Sequence, residues 1–299
     1  MKLNRKQSAF GRHETFPLRY AWLTKGCDAV RQQPDIFSDP ERAMVELGVG
    51  RNMVNAIQYW LQVARIVDFA DGRAEVSALG NALLGPKGDR YLEDEATLWV
   101  IHWMIASNAE LATGFFWFFN RFAMPRFREP DMREGLSEFV QQEFHVTRSQ
   151  STLKSDCSTL LRMYAPAPGQ SEDHLDSPLA QLKLIESEEG RGYHSLRKVR
   201  PFLPPLALHF ALAQRFSEDP QQVALPVRLL LYGGDDWAAV GSAFRLSEEG
   251  LMATLAQVMA LYPHNYELRD TAGMHQIYRG SKMNAPLDIL RSYYRGASK

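Results

Sequence analysis

The chain has 299 residues, long enough to bury a large core and to divide it, with 34 Lys and Arg against 35 Asp and Glu and a net charge of −1. That balance excludes a globally basic nucleic-acid coat, so an electrostatic partner has to be met by local patches. Cys27 and Cys157 stand in no CxxC or metal-ligand spacing, which excludes a disulfide framework and a zinc ribbon and points to a reducing cytoplasm. The basic N-terminus lacks an apolar h-region, and the apolar stretch 98–119 is broken by His102, Asn108 and Glu110. Neither a signal peptide nor a membrane span is expected.

Residues 1–31 hold seven Lys or Arg against two acids and read as a basic arm and helix able to approach a DNA backbone, with Arg12 and Arg19 as contacts. A structural role is the alternative: Phe10, Phe16, Leu18, Tyr20 and Trp22 stitch the N-terminus onto the first module, and Glu14 pairs with Arg12 or Arg19. His13, Glu14 and Arg19 are expensive to desolvate unless paired, which favours function for these three.

Asp39 before Pro40 is an N-cap signal, and the helix it opens should end near Gly48. "RNMVNAIQYWLQVARIV" then gives a longer amphipathic helix. Two short strands, Ile66–Phe69 and Ala74–Val76, join through Asp71-Gly72, and Leu79, Leu83 and Leu84 begin a closing helix. Helix, turn, helix and hairpin in that order describe a winged helix. Its second helix should offer Arg51, Asn52, Asn55 and Gln58 to DNA, and Arg73 should lie on the wing.

Similar signals recur twice. "DMREGLSEFVQQEF" and "QSTLKSDCSTLLRMYA" read as two helices, the second carrying Arg148 and Lys154 among hydroxyls at an N-terminal end that suits phosphate. A Pro/Gly/acidic loop over 165–178 leads to a short helix and a hairpin-like element, where Arg191, Arg197, Lys198 and Arg200 form the sharpest basic cluster. Ser247 then opens a helix ending before Pro263, and "YELRDTAGMHQIYR" makes another hairpin turning at Thr271-Ala272-Gly273. Of the run Phe115 to Phe119, one or two rings are expected to line a domain interface.

The fold class expected is mainly α with small β-hairpins, an α+β chain of two or three winged-helix-like modules around helical connectors. The divisions fall at 1–90 (basic arm plus winged helix), 91–130 (connector), 131–205 (second module) and 206–299 (helix–hairpin module). No Walker loop, GxGxxG, GxSxG or HExxH occurs. Pieces of a hydrolytic site exist as His13 with Glu14, Asp235 with Asp236, and His264 with Glu267, without convergence.

The stretches "FGRHETFPLRYAWLTKGCDAV", "TLKSDCSTLLRMYAP", "SPLAQLKLI", "FRLSEEGLMATLAQV" and "LRDTAGMHQIYR" resemble an uncharacterised bacterial domain family of DNA-modification defence loci, whose best-known members are SspB-type. The resemblance spans nearly the whole chain. It implies a DNA-binding, DNA-nicking component of a phosphorothioate modification and anti-phage system. The partners implied are double-stranded DNA, a cysteine desulfurase, an ATPase and an ATP-pyrophosphatase-like sulfurtransferase. His13 and Glu14 are the catalytic candidates, with Mg²⁺ or Mn²⁺ as the cofactor a nickase would use. The alternative is a non-catalytic winged-helix regulator or an architectural subunit bridging DNA and the modification enzymes.

Overall fold

An extended segment, residues 1–19, leads into α1 (Tyr20–Gln32). The computed structural model describes residues 1–165, 177–188, 190–234, 236–271 and 273–297. Most of the acidic loop expected over 165–178, Asp235 and Ala272 lie outside them. In α2 (Pro40–Leu47) the Asp39 side chain accepts from the backbone N–H groups of Glu41 and Arg42, and Gly48 closes the helix at φ 64°, a left-handed conformation a side chain would disfavour. The next helix, α3 (Arg51–Val63), buries Val54, Ile57, Trp60 and Leu61 against α1 and α2 and leaves Arg51, Asn52 and Asn55 exposed. Strands β1 (Val67–Ala70) and β2 (Arg73–Val76) pair antiparallel about Asp71 and Gly72, both at positive φ, as a two-residue primed turn requires. Ser77 caps α4 (Ala78–Leu84).

Two apolar helices follow, α5 (Glu95–Ala106) and α6 (Thr113–Asn120). Phe115 to Phe119 are all buried, because α5, α7 (Glu129–Phe144), α8 (Gln150–Tyr164) and α11 (Val240–Ala243) surround α6. All five rings belong to the buried core. A helix enclosed on every side has no solvent face to keep polar, which is why its sequence shows no amphipathic period.

Both later hairpins gain a third strand. β3 (Arg126–Phe127) joins β4 (Glu186–Glu188) and β5 (Gly192–His194) in the order β3-β5-β4. β6 (Ala224–Pro226) joins β7 (Tyr266–Thr271) and β8 (Met274–Arg279) in the order β6-β8-β7. Between them run α9 (Pro205–Glu218), α10 (Val227–Tyr232) and α12 (Glu248–Leu261), the last capped by Ser247, and α13 (Pro286–Ala297) closes the chain over α4 and α9. The architecture is therefore mainly helical with three small antiparallel sheets. One hydrophobic cluster runs from Leu3 through α5, α6 and α9 to Tyr294. Among the described residues no helix is long and apolar enough to cross a membrane.

Candidate nucleic-acid interface

Residues 8–16 form a strap held to α3 at Asn55 and Trp60 and to α8 at Thr152, Asp156 and Arg162. Its backbone is unusual: Gly11, Glu14 and Thr15 have φ of 71°, 50° and 65°. A β-branched residue in that region costs about 1–2 kcal/mol and persists only where its surroundings hold it. The holds are visible. Gly11 N–H donates to Asp156 Oδ1 at 2.7 Å, Thr15 N–H to His13 Nδ1 at 3.1 Å, and Trp60 Nε1 to the Phe16 carbonyl at 3.1 Å, while Arg162 donates to the Thr15 carbonyl.

His13 is the centre of this knot. Its ring is 1% exposed, stacks on Trp60 and meets the edge of Tyr59. Because Thr15 N–H is a donor, Nδ1 is an acceptor; the ring proton therefore lies on Nε2, which donates to Asp156 Oδ1 at 2.8 Å. Both ring nitrogens are engaged within the protein. Asp156 lies beside Gly114 in the first turn of α6, where the helix dipole favours a carboxylate. Burial, and then the Asp156 charge, pushes the Tyr59 phenol well above its ordinary pKa.

The family described as Protein of unknown function (DUF4007) matches residues 10–294, from the strap to the last helix. The chain belongs to that family. Two solved structures share its fold: a magnesium ion-bound SspB crystal structure, with TM-score 0.85, 25% identity and coverage of 98% of this chain and 90% of that one; and an SspB crystal structure, with TM-score 0.85, 25% identity and coverage of 99% and 91%. The DUF4007 chain is thus an SspB-type domain. No curated protein matches it.

On the DUF4007 fold the residues expected to contact DNA fall into two groups. The strap brings the first group together. Arg12 is exposed on it, Arg51 and Asn52 open α3, Arg148 precedes the Ser149 cap of α8, and Lys154 projects from the next turn. None of Arg12, Arg51, Arg148 and Lys154 has a carboxylate partner among the described residues. Arg148 donates to Ser8 Oγ at 3.3 Å and lies over Phe10. Asn55 donates to Glu14 Oε1 at 3.4 Å, so Glu14 engages α3 rather than the arginines considered for it. A cavity of about 600 Å³ lies where the strap meets α8, lined by Gln7, Ser8, Arg12, Thr147, Arg148 and Ser149. Gln58 is half-buried on α3, Arg73 is exposed in the hairpin, and Arg19 lies over Trp22 at the start of α1.

In the second group Arg197 and Arg200 direct their guanidinium groups to acceptors within the protein, whereas Lys198 and Arg191 lie on the surface in ion pairs. Arg197 donates to the Leu231 carbonyl and to Ser242 Oγ at 2.7 Å, and Arg200 to the carbonyls of Leu182 and Lys183 at 3.2 and 3.3 Å. Burial lowers the Arg197 pKa and brings that of Arg200 down to about 10. Lys198 pairs with Glu186 at 3.0 Å and Arg191 with Glu188 at 3.4 Å. Beneath them Arg245, not anticipated from the sequence, is fully enclosed. It donates to Ser195 Oγ at 2.7 Å and to the Phe118 carbonyl at 2.9 Å, ties the end of α6 to β5, and has its pKa brought down to about 9 by burial and then by Arg197 and Arg200. Nothing in "FRLSEEG" distinguishes this arginine from a solvated one. Asp156 was equally illegible, since its partner lies 143 residues away.

The strap carboxylates do not form a cradle for a divalent cation as arranged. Asp156 is 4% exposed and already accepts from Gly11 and His13, and Glu14 accepts from Asn55. Among the described residues no three His, Cys, Asp or Glu side chains converge on one point.

Proposed function

We propose that this protein is the DNA-engaging component of a phosphorothioate modification system and that it nicks the strand its partners modify. In this reading α2, α3 and the β1–β2 hairpin are a winged helix. Its reading helix does not act alone: the strap couples it to the start of α8, and the two helix ends take one duplex together. The observation that carries the proposal is a set of exposed cations without carboxylate partners among the described residues, Arg12 on the strap, Arg51 at the start of α3 and Arg148 and Lys154 at the start of α8, on two helices that the strap ties together through Asn55 and Asp156. Phosphates are met by the cations and by the α8 N-terminus, and base edges by the amides of Asn52 and Asn55.

The likeness to SspB over nearly the whole of both chains supports the cellular setting: a cytoplasmic protein working with an ATPase, an ATP-pyrophosphatase-like sulfurtransferase and a cysteine desulfurase. Winged-helix character for the second and third modules belongs to the same proposal. So does a Mg²⁺ or Mn²⁺ requirement for nicking.

A second reading is favoured by one observation, the occupation of both His13 ring nitrogens. If the strap never opens, His13 is a positioning residue and the protein an architectural or regulatory subunit that holds DNA for the modification enzymes. The two readings separate in one experiment: supercoiled plasmid is incubated with the protein and Mg²⁺, Mn²⁺ or EDTA, and open-circular product is scored beside a gel shift. Metal-dependent nicking that His13→Ala abolishes, with binding intact, supports the nickase. Binding without nicking supports the architectural subunit, and absence of binding rejects both.

A further inference from the structure

A second cavity, remote in sequence from the strap, lies between the base of β2, α4 and the last turns of α13. Its volume is about 600 Å³, within the range of small-molecule sites. The floor is apolar, made by Val76, Ala78, Ala82 and Pro86 with buried Tyr294 behind them. The rim is cationic. Lys87 comes from the loop after α4, and Arg291 and Arg295 stand one turn apart on α13; Glu75 is the one acid in the lining.

Cations near a helix C-terminus complement its dipole, which would account for the two arginines. Lys87, three residues past the end of α4, comes from a separate element, yet it lines the same space. Arg291 has Asp288 at 3.3 Å, whereas Lys87 and Arg295 have no carboxylate partner among the described residues. Asn81 is held in place, donating to the Val76 carbonyl at 3.1 Å and accepting from Arg31 at 3.2 Å, so the wall beside the rim is fixed before any ligand arrives. Three cations exceed what one carboxylate needs and suit a phosphate of charge about −1.5 to −2. The apolar floor suits a flat heterocycle and its sugar.

We propose that this cavity binds a nucleotide, its base and sugar on the Val76–Ala82–Pro86 floor and its phosphate on Lys87, Arg291 and Arg295. The same chemistry is carried by a free nucleotide and by a nucleotide unit of a single strand. The assignment stands apart from the strap and does not depend on it.

The test uses the full chain and calorimetric titration with AMP, ADP, adenosine and a 5′-phosphorylated tetrathymidylate. AMP or ADP should bind saturably, adenosine at least about tenfold more weakly, and Lys87→Ala/Arg295→Ala should weaken the nucleotides by about tenfold or more. Both replaced side chains are exposed, so an unchanged urea midpoint shows that the variant is folded. If the strand binds more tightly than AMP and loses affinity in the double variant, the natural ligand is strand-borne; the reverse order marks a free nucleotide. Absence of nucleotide binding overturns the assignment. So does affinity that the double variant leaves unchanged, and so does strand binding that survives the variant without any AMP binding.

Discussion

His13 Nε2 lies 2.8 Å from Asp156 Oδ1, and this contact locks an N-terminal strap onto a helix that begins more than a hundred residues later. Both partners are buried, and when either is truncated the other keeps one bond, Asp156 from Gly11 N–H and His13 from Thr15 N–H, but loses the one between them. His13→Ala and Asp156→Ala should each destabilise the fold by about 1.5–3 kcal/mol. The pair should behave as a unit: the double variant should cost clearly less than the sum in a urea-melt cycle. Additive losses would mean that the two groups do not act together.

The contrast between exposed and inward arginines predicts different salt behaviour. Arg148→Ala/Lys154→Ala should lower the slope of log K against log salt by about 2, since each phosphate contact contributes roughly 0.9. Arg197→Ala/Arg200→Ala should leave the slope alone and lower the unfolding midpoint, because Ser242 Oγ and the carbonyls of Leu182, Lys183 and Leu231 each lose one donor. A slope change in the second pair and none in the first would reverse the assignment of the DNA face.

These two clusters also show where sequence reading stops. The run of α2, α3 and the β1–β2 hairpin was legible because its signals are local: Asp39 caps α2, Gly48 ends it, and Asp71-Gly72 turns the hairpin at positive φ. The cluster 191–200 was legible only as charge, since its direction depends on carbonyls of Leu182, Lys183 and Leu231 that no local pattern brings near. Residues 205–218, α9, are apolar on nearly every side and so show no helical period; α5, α12 and α13 supply the reason in three dimensions. The third strands β3 and β6 are only two and three residues long, too short for alternation to register.

Two buried histidines set an acid limit on stability. Burial lowers the His102 pKa to about 3 and the His209 pKa to about 4, so in the folded chain both rings stay neutral where the unfolded chain, with a pKa near 6.5, takes up protons. A depressed folded value makes stability rise with pH through the window between the two values. The contribution is complete above about pH 6.5, is lost as pH falls, and stops changing for His102 below about 3. Each histidine should contribute a slope of about 1.4 kcal/mol per pH unit within its window. Urea midpoints from pH 4.5 to 7 should show the rise, and His102→Gln should flatten it by about half, His209 supplying the rest, since a carboxamide can still donate to the Ala243 carbonyl and accept from Tyr164. An unflattened profile would place the dependence on other groups.

The strap's backbone gives the last prediction. Gly11 has φ 71° and its N–H reaches Asp156 at 2.7 Å, while a Cβ built there would come 3.5 Å from the Thr152 methyl. Space is therefore ordinary, and conformation is what a side chain would disturb. Gly11→Ala should cost about 1–2 kcal/mol from the left-handed backbone alone. Any relaxation of that strain moves Gly11 away from Asp156, and with it the neighbouring Arg12. DNA affinity should then fall together with stability. Thr15→Asn works in the opposite direction, because asparagine tolerates φ near 65° better than a β-branched residue and keeps the N–H bonded to His13. It should raise the urea midpoint by the equivalent of about 0.5–1 kcal/mol and leave DNA affinity unchanged. If both substitutions move affinity equally while only one moves stability, the strap does not position Arg12, and the cations on α3 and α8 would have to hold the duplex without it.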